Sequence, residues 1–289
     1  MNDSNIGERL LEINGVQLCV QAFGQPQWPT ILLIHGAGAS MLWWDEALCR
    51  EIAAGGRHVI RFDNRDTGRS TVCPPGQPDY ALSDLARDAV GILDALGVAR
   101  AHIVGQSMAG GIALTLGVDH APRVASLTFV GTTTGDDDLP DMSPGFSSLS
   151  ADHVDLQNPA AAVDFILALM RACIGTSRDF DESRMRNLAV QDVARTRNLA
   201  SALSNHFLMH FDGPVHGGFA DVQAPCLVVH GELDPVFPLP HAHALQKALK
   251  SAELLVLPGA GHDIPPRVWP LFVEALLRHT AKAPPVVSG

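Results

Sequence analysis

Residues 102–111 read HIVGQSMAGG. A short apolar run enters Gly105-Gln106-Ser107-Met108-Ala109, and a helical pattern follows at once. A serine oxygen stands exposed at a strand-to-helix junction only if the turn is very tight. Such a turn leaves no room for large side chains two residues before or after the serine. Gly105 and Ala109 meet that demand, although Ala109 departs from the strict G-x-S-x-G form. Gly110 and Gly111 permit close packing of the helix on the sheet. A glycine-rich turn with a chance serine is the competing reading, and the strand–turn–helix setting weighs against it.

Outward from this turn, the chain alternates between short β-rich runs and amphipathic stretches. Strands are expected at 31–35, 58–62, 102–104 and 126–130, and again at 226–230 and 253–257. Helices are expected at 41–54, 82–96, 108–119, 241–249 and 268–280. Apolar residues at Leu85, Ala89, Ile92, Leu93 and Leu96 share one helical face, which Gly97 ends. This order predicts an α/β fold, a mostly parallel sheet with helices on both faces. From 131 to 221 the buried-strand pattern stops and the composition turns helical. The expected organisation is a core of 1–131 and 222–280, an inserted helical cap of 132–221, and a flexible tail of 281–289. Chemistry in such a sheet gathers at the carboxyl ends of the strands.

Two further strand ends carry the partners that a nucleophilic serine needs, in the order serine, acid, histidine. HGELDPVFP places Asp234 after the strand at 226–230, and PGAGHDIP places His262 after the strand at 253–257. His262 would relay the proton of Ser107, and Asp234 would fix the imidazole tautomer. Taken singly, Asp234 is a turn residue before Pro235, and His262 is a loop histidine. Three suitable residues at successive strand ends favour the joint reading. Backbone N–H groups of Met108 and Ala37, the latter in His35-Gly36-Ala37-Gly38, are the expected oxyanion donors. In the cap, Phe165, Met170, Phe207 and Phe211 are the expected pocket residues, by size and position.

With HGAG, DNRDTGRS, GQSMAG, HGELDP and GAGH in order, the chain resembles the alpha/beta hydrolase superfamily over nearly its whole length. It most resembles the aclacinomycin methylesterase group, through HVIRFDNRDTGRST (58–71), LDALGVARAHIVGQSM (93–108) and the C-terminal HGELDP through GAGH. The cap resembles that group much less. The resemblance implies ester hydrolysis through an acyl-enzyme, on apolar or methyl esters, with a small-molecule substrate. Carbon–carbon hydrolases of diketones have a similar triad, but commonly carry tryptophan after the histidine, where this chain has Asp263. Perhydrolases share the Ser-Met elbow, yet often have a proline near the oxyanion loop, which HGAG lacks. A small-molecule receptor on the same fold is the reading from another class.

The chain has 289 residues, net charge −11, 46% hydrophobic and 6% aromatic residues. A surface this acidic repels nucleic acid and anionic membranes, so neither partner is expected. No apolar run reaches the ~18 residues of a membrane span. MNDSNIGERLLEI lacks the basic start and apolar core of a signal peptide, so a cytoplasmic protein is expected. Five scattered cysteines without CxxC suggest neither disulfides nor zinc, and no cofactor is expected. DNRDTGRS (63–70) is expected to be scaffolding, with Asp63 satisfying backbone groups and Arg65 or Arg69 paired with a carboxylate. Asp136, Asp137 and Asp138 read as a solvated run. His206 and His210 have the spacing of a metal pair but no third ligand, so packing is expected. His241 and His243 are expected at the surface.

Overall fold

The computed structural model describes residues 6–178 and 180–281. It opens with β1 (Ile6–Ile13) and β2 (Val16–Phe23), paired antiparallel. Asn14 and Gly15 join them at φ 49° and 81°. A type I′ hairpin turn requires two such positive angles, and Asn-Gly is its preferred pair. The strand alternation outlined above omits this hairpin.

β3 (Thr30–Ile34), β4 (His58–Phe62), β5 (Ala101–Gln106), β6 (Val124–Val130), β7 (Cys226–Gly231) and β8 (Ala252–Leu257) complete the sheet. Its order is β1-β2-β4-β3-β5-β6-β7-β8. β2 meets β4 antiparallel, and every later pair is parallel. β3 through β7 are buried along their whole length. Burial on both faces explains why they read as continuous apolar runs rather than alternating ones.

The helices are α1 (Glu46–Ala54), α2 (Leu82–Ala95), α3 (Ala109–Asp119), α4 (Pro144–Ser147), α5 (Pro159–Ile174), α6 (Glu182–Arg195), α7 (Leu199–Leu208), α8 (Pro240–Ala248) and α9 (Trp269–Ala281). Leu85, Ile92, Ile112 and Leu245 bring α2, α3 and α8 onto one face of the sheet. Leu48, Ile52, Phe272 and Leu276 bring α1 and α9 onto the other. The sheet is thus covered on both sides, the condition under which parallel strands are stable. The helix expected over 41–54 is interrupted. Met41–Trp43 forms a 3-10 turn, and α1 begins only after Asp45. Ser40 accepts from Leu42 N, and Asp45 accepts from Ala47 N at 2.8 Å. Two capping side chains so close together start two helical segments instead of one.

α4 to α7 lie between β6 and β7. Val163, Ile166, Leu167, Ile174, Met185 and Ala189 give this insert a small core of its own. Ala281 closes α9, and the rest of the expected tail, 282–289, lies outside the described residues. None of the described helices is long and apolar enough to cross a membrane.

The DNRDTGRS loop is a polar scaffold. Asp63, fully buried, accepts from Met41 N at 2.8 Å and Arg69 N at 2.9 Å. Arg65 pairs with buried Asp88 at 2.6 Å, and Arg69 with Glu8 at 2.9 Å. Asp136, Asp137 and Asp138 are exposed. His243 is exposed, but His241 is buried, against expectation. Its Nε2 donates to Pro140 O at 2.8 Å, and its Nδ1 accepts from the Thr133 hydroxyl at 2.7 Å. With both ring nitrogens satisfied, the imidazole can leave water.

Candidate active site

Ser107 lies between β5 and α3 with φ 54°. A positive φ in a non-glycine residue is a strained conformation that the surroundings must hold in place. Ser107 N donates to Val130 O at 2.9 Å, and the Thr132 hydroxyl donates to Ser107 O at 2.8 Å. The end of β6 therefore pins the turn from the side. Crowding is severe. A Cβ on Gly105 would stand 2.3 Å from Ala109 O, and one on Gly36 would stand 2.7 Å from Ser107 Cβ. Those two positions admit only glycine without a backbone shift.

Asp234 follows β7 and is buried. Its Oδ1 accepts from Val236 N at 2.8 Å and Phe237 N at 2.9 Å. Its Oδ2 is 2.8 Å from His262 Nδ1. A carboxylate only accepts, so the imidazole proton sits on Nδ1 and leaves Nε2 as a proton acceptor. Burial presses the Asp234 carboxyl upward. The His262 charge and hydrogen bond, with His230 and the Phe237 N–H, outweigh it and hold the acid below its usual range.

His262 is fixed through its own backbone. Its N–H donates to Cys173 O of α5 at 2.8 Å, and its carbonyl accepts from Gln106 Nε2 at 3.1 Å. The Phe237 ring meets the imidazole edge-on, with centroids 5.6 Å apart. The insert thus helps position a histidine that sits in the loop after β8.

Ser107, His262, Ala37 and Met108 all line one cavity of about 460 Å³. Met108 is the N-cap of α3, where backbone N–H groups have no partner within the helix. Met170, Phe207 and Phe211 line the cavity too, whereas Phe165 does not. Phe165 sits one turn before Leu169 on α5, beyond the stretch (Leu169, Met170 and Cys173) that reaches the cavity.

Several contributors escape sequence reasoning. Trp43, Trp44 and Trp269 line the cavity from elements distant in sequence. Arg184 of α6 and Asp45 meet on its wall at 2.7 Å. His35 also lines it, its pKa taken down to about 3 by burial first and then by His262, so it stays neutral. His230 stands 3.4 Å from Asp234 Oδ2 and 2.6 Å from Phe237 O through Nε2. It therefore braces the turn that holds the acid. A histidine directly before the Gly231 that ends β7 was the only signal for it. His206 is buried, with Nδ1 accepting from Gly38 N at 3.0 Å and Nε2 donating to Arg65 O at 2.8 Å. His210 is exposed. Among the described residues no cluster of three His, Cys, Asp or Glu could hold a metal.

A family model described as the alpha/beta hydrolase fold matches residues 29–265. A rhodomycin D methylesterase of Streptomyces sp. (strain C5) is 29% identical, over 95% of this chain and 98% of its own. A 2-hydroxymuconate semialdehyde hydrolase of Pseudomonas sp. (strain CF600) is 30% identical, over 80% of each. Among solved structures, the 2-hydroxy-6-oxo-6-phenylhexa-2,4-dienoate hydrolase of Rhodococcus sp. strain RHA1 superposes with TM-score 0.76 at 21% identity, covering 97% of this chain and 100% of that one.

Proposed function

The chain belongs to the alpha/beta hydrolase fold family, and from that premise we propose that it is a serine carboxylic-ester hydrolase. The observation that carries the reading is the strained serine sharing one cavity with an imidazole held in the Nδ1–H tautomer by a buried carboxylate. Ser107 Oγ attacks the ester carbonyl while His262 Nε2 takes its proton. Negative charge then develops on the carbonyl oxygen. Ala37 and Met108 N–H groups stabilise it there. The alcohol leaves with the proton from His262, and an acyl-enzyme remains. Water, deprotonated by His262, releases the acid and restores Ser107. Asp234 stays ionised and steadies the imidazolium.

The methylesterase likeness supports apolar or methyl esters. So does the apolar wall of Leu169, Met170, Phe207 and Phe211. The insert, 132–221, acts as a cap that selects substrate over a core of 1–131 and 222–280. Carbon–carbon hydrolysis is the second reading, supported by the semialdehyde hydrolase likeness. Side-by-side turnover of p-nitrophenyl butyrate and a vinylogous diketone separates the two. In that assay Ser107→Ala lowers kcat on the ester by roughly 10⁴-fold or more. Near-normal turnover by the purified variant contradicts the serine mechanism, and turnover of the diketone alone selects the second reading.

A further inference from the structure

His35 follows β3 directly and lines the active-site cavity, yet the ester mechanism gives it no task. Its ring is held on two sides. Gly36 N donates to its Nδ1 at 2.8 Å, and the Trp44 ring meets it edge-on with centroids 5.7 Å apart. Asn64 Nδ2 donates to the His35 carbonyl at 3.3 Å and fixes the backbone there. A backbone N–H only donates, so Nδ1 carries no proton. The imidazole is neutral, since burial first and then His262 take its pKa down to about 3. A neutral imidazole with a bare Nδ1 carries its proton on Nε2.

Among the described residues nothing accepts from that Nε2–H. The side-chain nitrogens sealed away without a partner belong to Trp44 and His230, not to His35. The ring is part-exposed, and the space it meets is the cavity. Most other polar side chains on the cavity wall are already bonded within the fold. Gln106 Nε2 donates to His262 O, and the Thr132 hydroxyl donates to Ser107 O. Thr133 pairs with His241, Thr134 with Asp136, and Arg184 with Asp45. The free donor is also close to the chemistry, because a Cβ on adjoining Gly36 would stand 3.3 Å from Ser107 Oγ.

We propose that His35 is a specificity residue whose Nε2–H donates to a substrate oxygen beside the scissile ester, so that oxygen-substituted esters are preferred over hydrocarbon esters of the same shape. The role depends on the ester-hydrolase reading and adds a substrate class to it. In an apolar cavity a few placed polar groups fix the ligand's orientation. A neutral N–H suits a neutral acceptor: an ether, hydroxyl or carbonyl oxygen on the acyl or the alcohol side. A hydrocarbon in that place leaves the donor without the partner it had in water, and this loss is the source of discrimination.

Two pairs of isosteric esters test this. p-Nitrophenyl methoxyacetate against p-nitrophenyl butyrate places the oxygen on the acyl side. 2-Methoxyethyl butyrate against butyl butyrate places it on the alcohol side. The kcat/KM ratio within each pair is compared between wild type and variant, which cancels the intrinsic reactivity of the esters. In His35→Asn the side-chain oxygen still accepts from Gly36 N, but no donor reaches the Nε2 position. The oxygen-to-hydrocarbon ratio is expected to fall about tenfold in at least one pair, the worth of one neutral hydrogen bond. His35→Gln puts an amide N–H near the Nε2 position and restores the ratio to within about threefold. His35→Phe keeps a flat ring against Trp44 without either nitrogen and shows the same fall, so it decides the matter should the Asn chain not fold. The pair that responds more identifies the side that carries the oxygen. A purely structural His35 slows both esters of a pair equally, and ratios unchanged in both pairs overturn the proposal. Absence of wild-type turnover on all the esters contradicts the ester reading itself, whereas turnover with unchanged ratios contradicts only the role of His35.

Discussion

The sheet platform and the helical insert are held together by different forces. Between the sheet and α1, α2, α3, α8 and α9 the contacts are apolar, through two large clusters of buried residues. The insert has only a small cluster of its own, against which Trp43 of the platform packs, and besides Met209 and Phe219, which reach the platform cluster, a row of polar stitches joins it to the platform. Asp192 accepts from Ser40 Oγ at 2.6 Å and Trp43 Nε1 at 2.8 Å. Asn205 donates to Asp66 at 2.9 Å, Arg195 meets Asp63, and His206 spans Gly38 and Arg65. Apolar packing is non-directional and tolerant, whereas a buried polar seam works only when every partner is in place. The platform can therefore keep one chemistry while the insert is remodelled, provided that the seam is kept.

The sharpest way to break this contrast is a change in the platform that spares the fold. Asp234→Asn is expected to lower kcat on simple esters by around 10³- to 10⁴-fold through loss of the tautomer constraint, with the unfolding midpoint nearly unchanged. Steady-state kinetics beside a thermal melt checks both halves. Equal damage from Asp136→Asn, in the exposed run, would move the acid elsewhere.

A change in the seam should act on stability instead. Arg195→Met leaves the Asp63 carboxylate buried without its cation, an arrangement that costs about 3–5 kcal/mol. The Asp63 carboxyl is already raised by burial, and Arg195, ahead of the Arg69 and Met41 N–H groups, is the chief group that opposes that rise. Its removal raises the folded-state pKa further above the unfolded value. A group raised in this way destabilises as pH rises through its folded pKa, so the loss is largest near neutrality and shrinks as pH falls. Urea unfolding at pH 7 and pH 5 reads it. A penalty that grows at the lower pH would contradict the assignment.

The smallest expected effect lies in selection. Phe207→Ala and Met170→Ala should shift the kcat/KM ratio between short and bulky esters by roughly 10- to 200-fold, as hydrophobic pocket contacts do. Reaction of Ser107 with a small acylating agent should change far less. Equal losses on every ester would show that the insert takes part in the chemistry and not only in selection.

Legibility follows the same division. The platform could be read because its signals are local: five residues make the elbow, and a strand followed by an acid or a histidine makes each partner. The Asn14-Gly15 hairpin is equally local, but its strands lie before the strand–helix alternation and outside its pattern. The break at Asp45 depended on two caps competing within a few residues. In the insert, size and position chose Met170, Phe207 and Phe211 usefully and Phe165 not, because lining depends on where a helix face ends. Trp43, Arg184 and the stitches of Asp192 and Asn205 join residues more than a hundred positions apart, and no local pattern announces such pairs. His241 failed for the same reason, since its partners Thr133 and Pro140 come from the far side of the insert.

Ser107 as the activated nucleophile is the part on which the proposed ester hydrolysis rests. A fluorophosphonate reacts covalently only with a serine whose proton a neighbouring base removes. Intact-mass and peptide analysis of the labelled wild-type chain is predicted to give a single adduct, located on Ser107. It should be absent from Ser107→Ala and strongly slowed in His262→Ala. An adduct on any other residue, or full ester turnover by a chain that takes no label, would contradict the account.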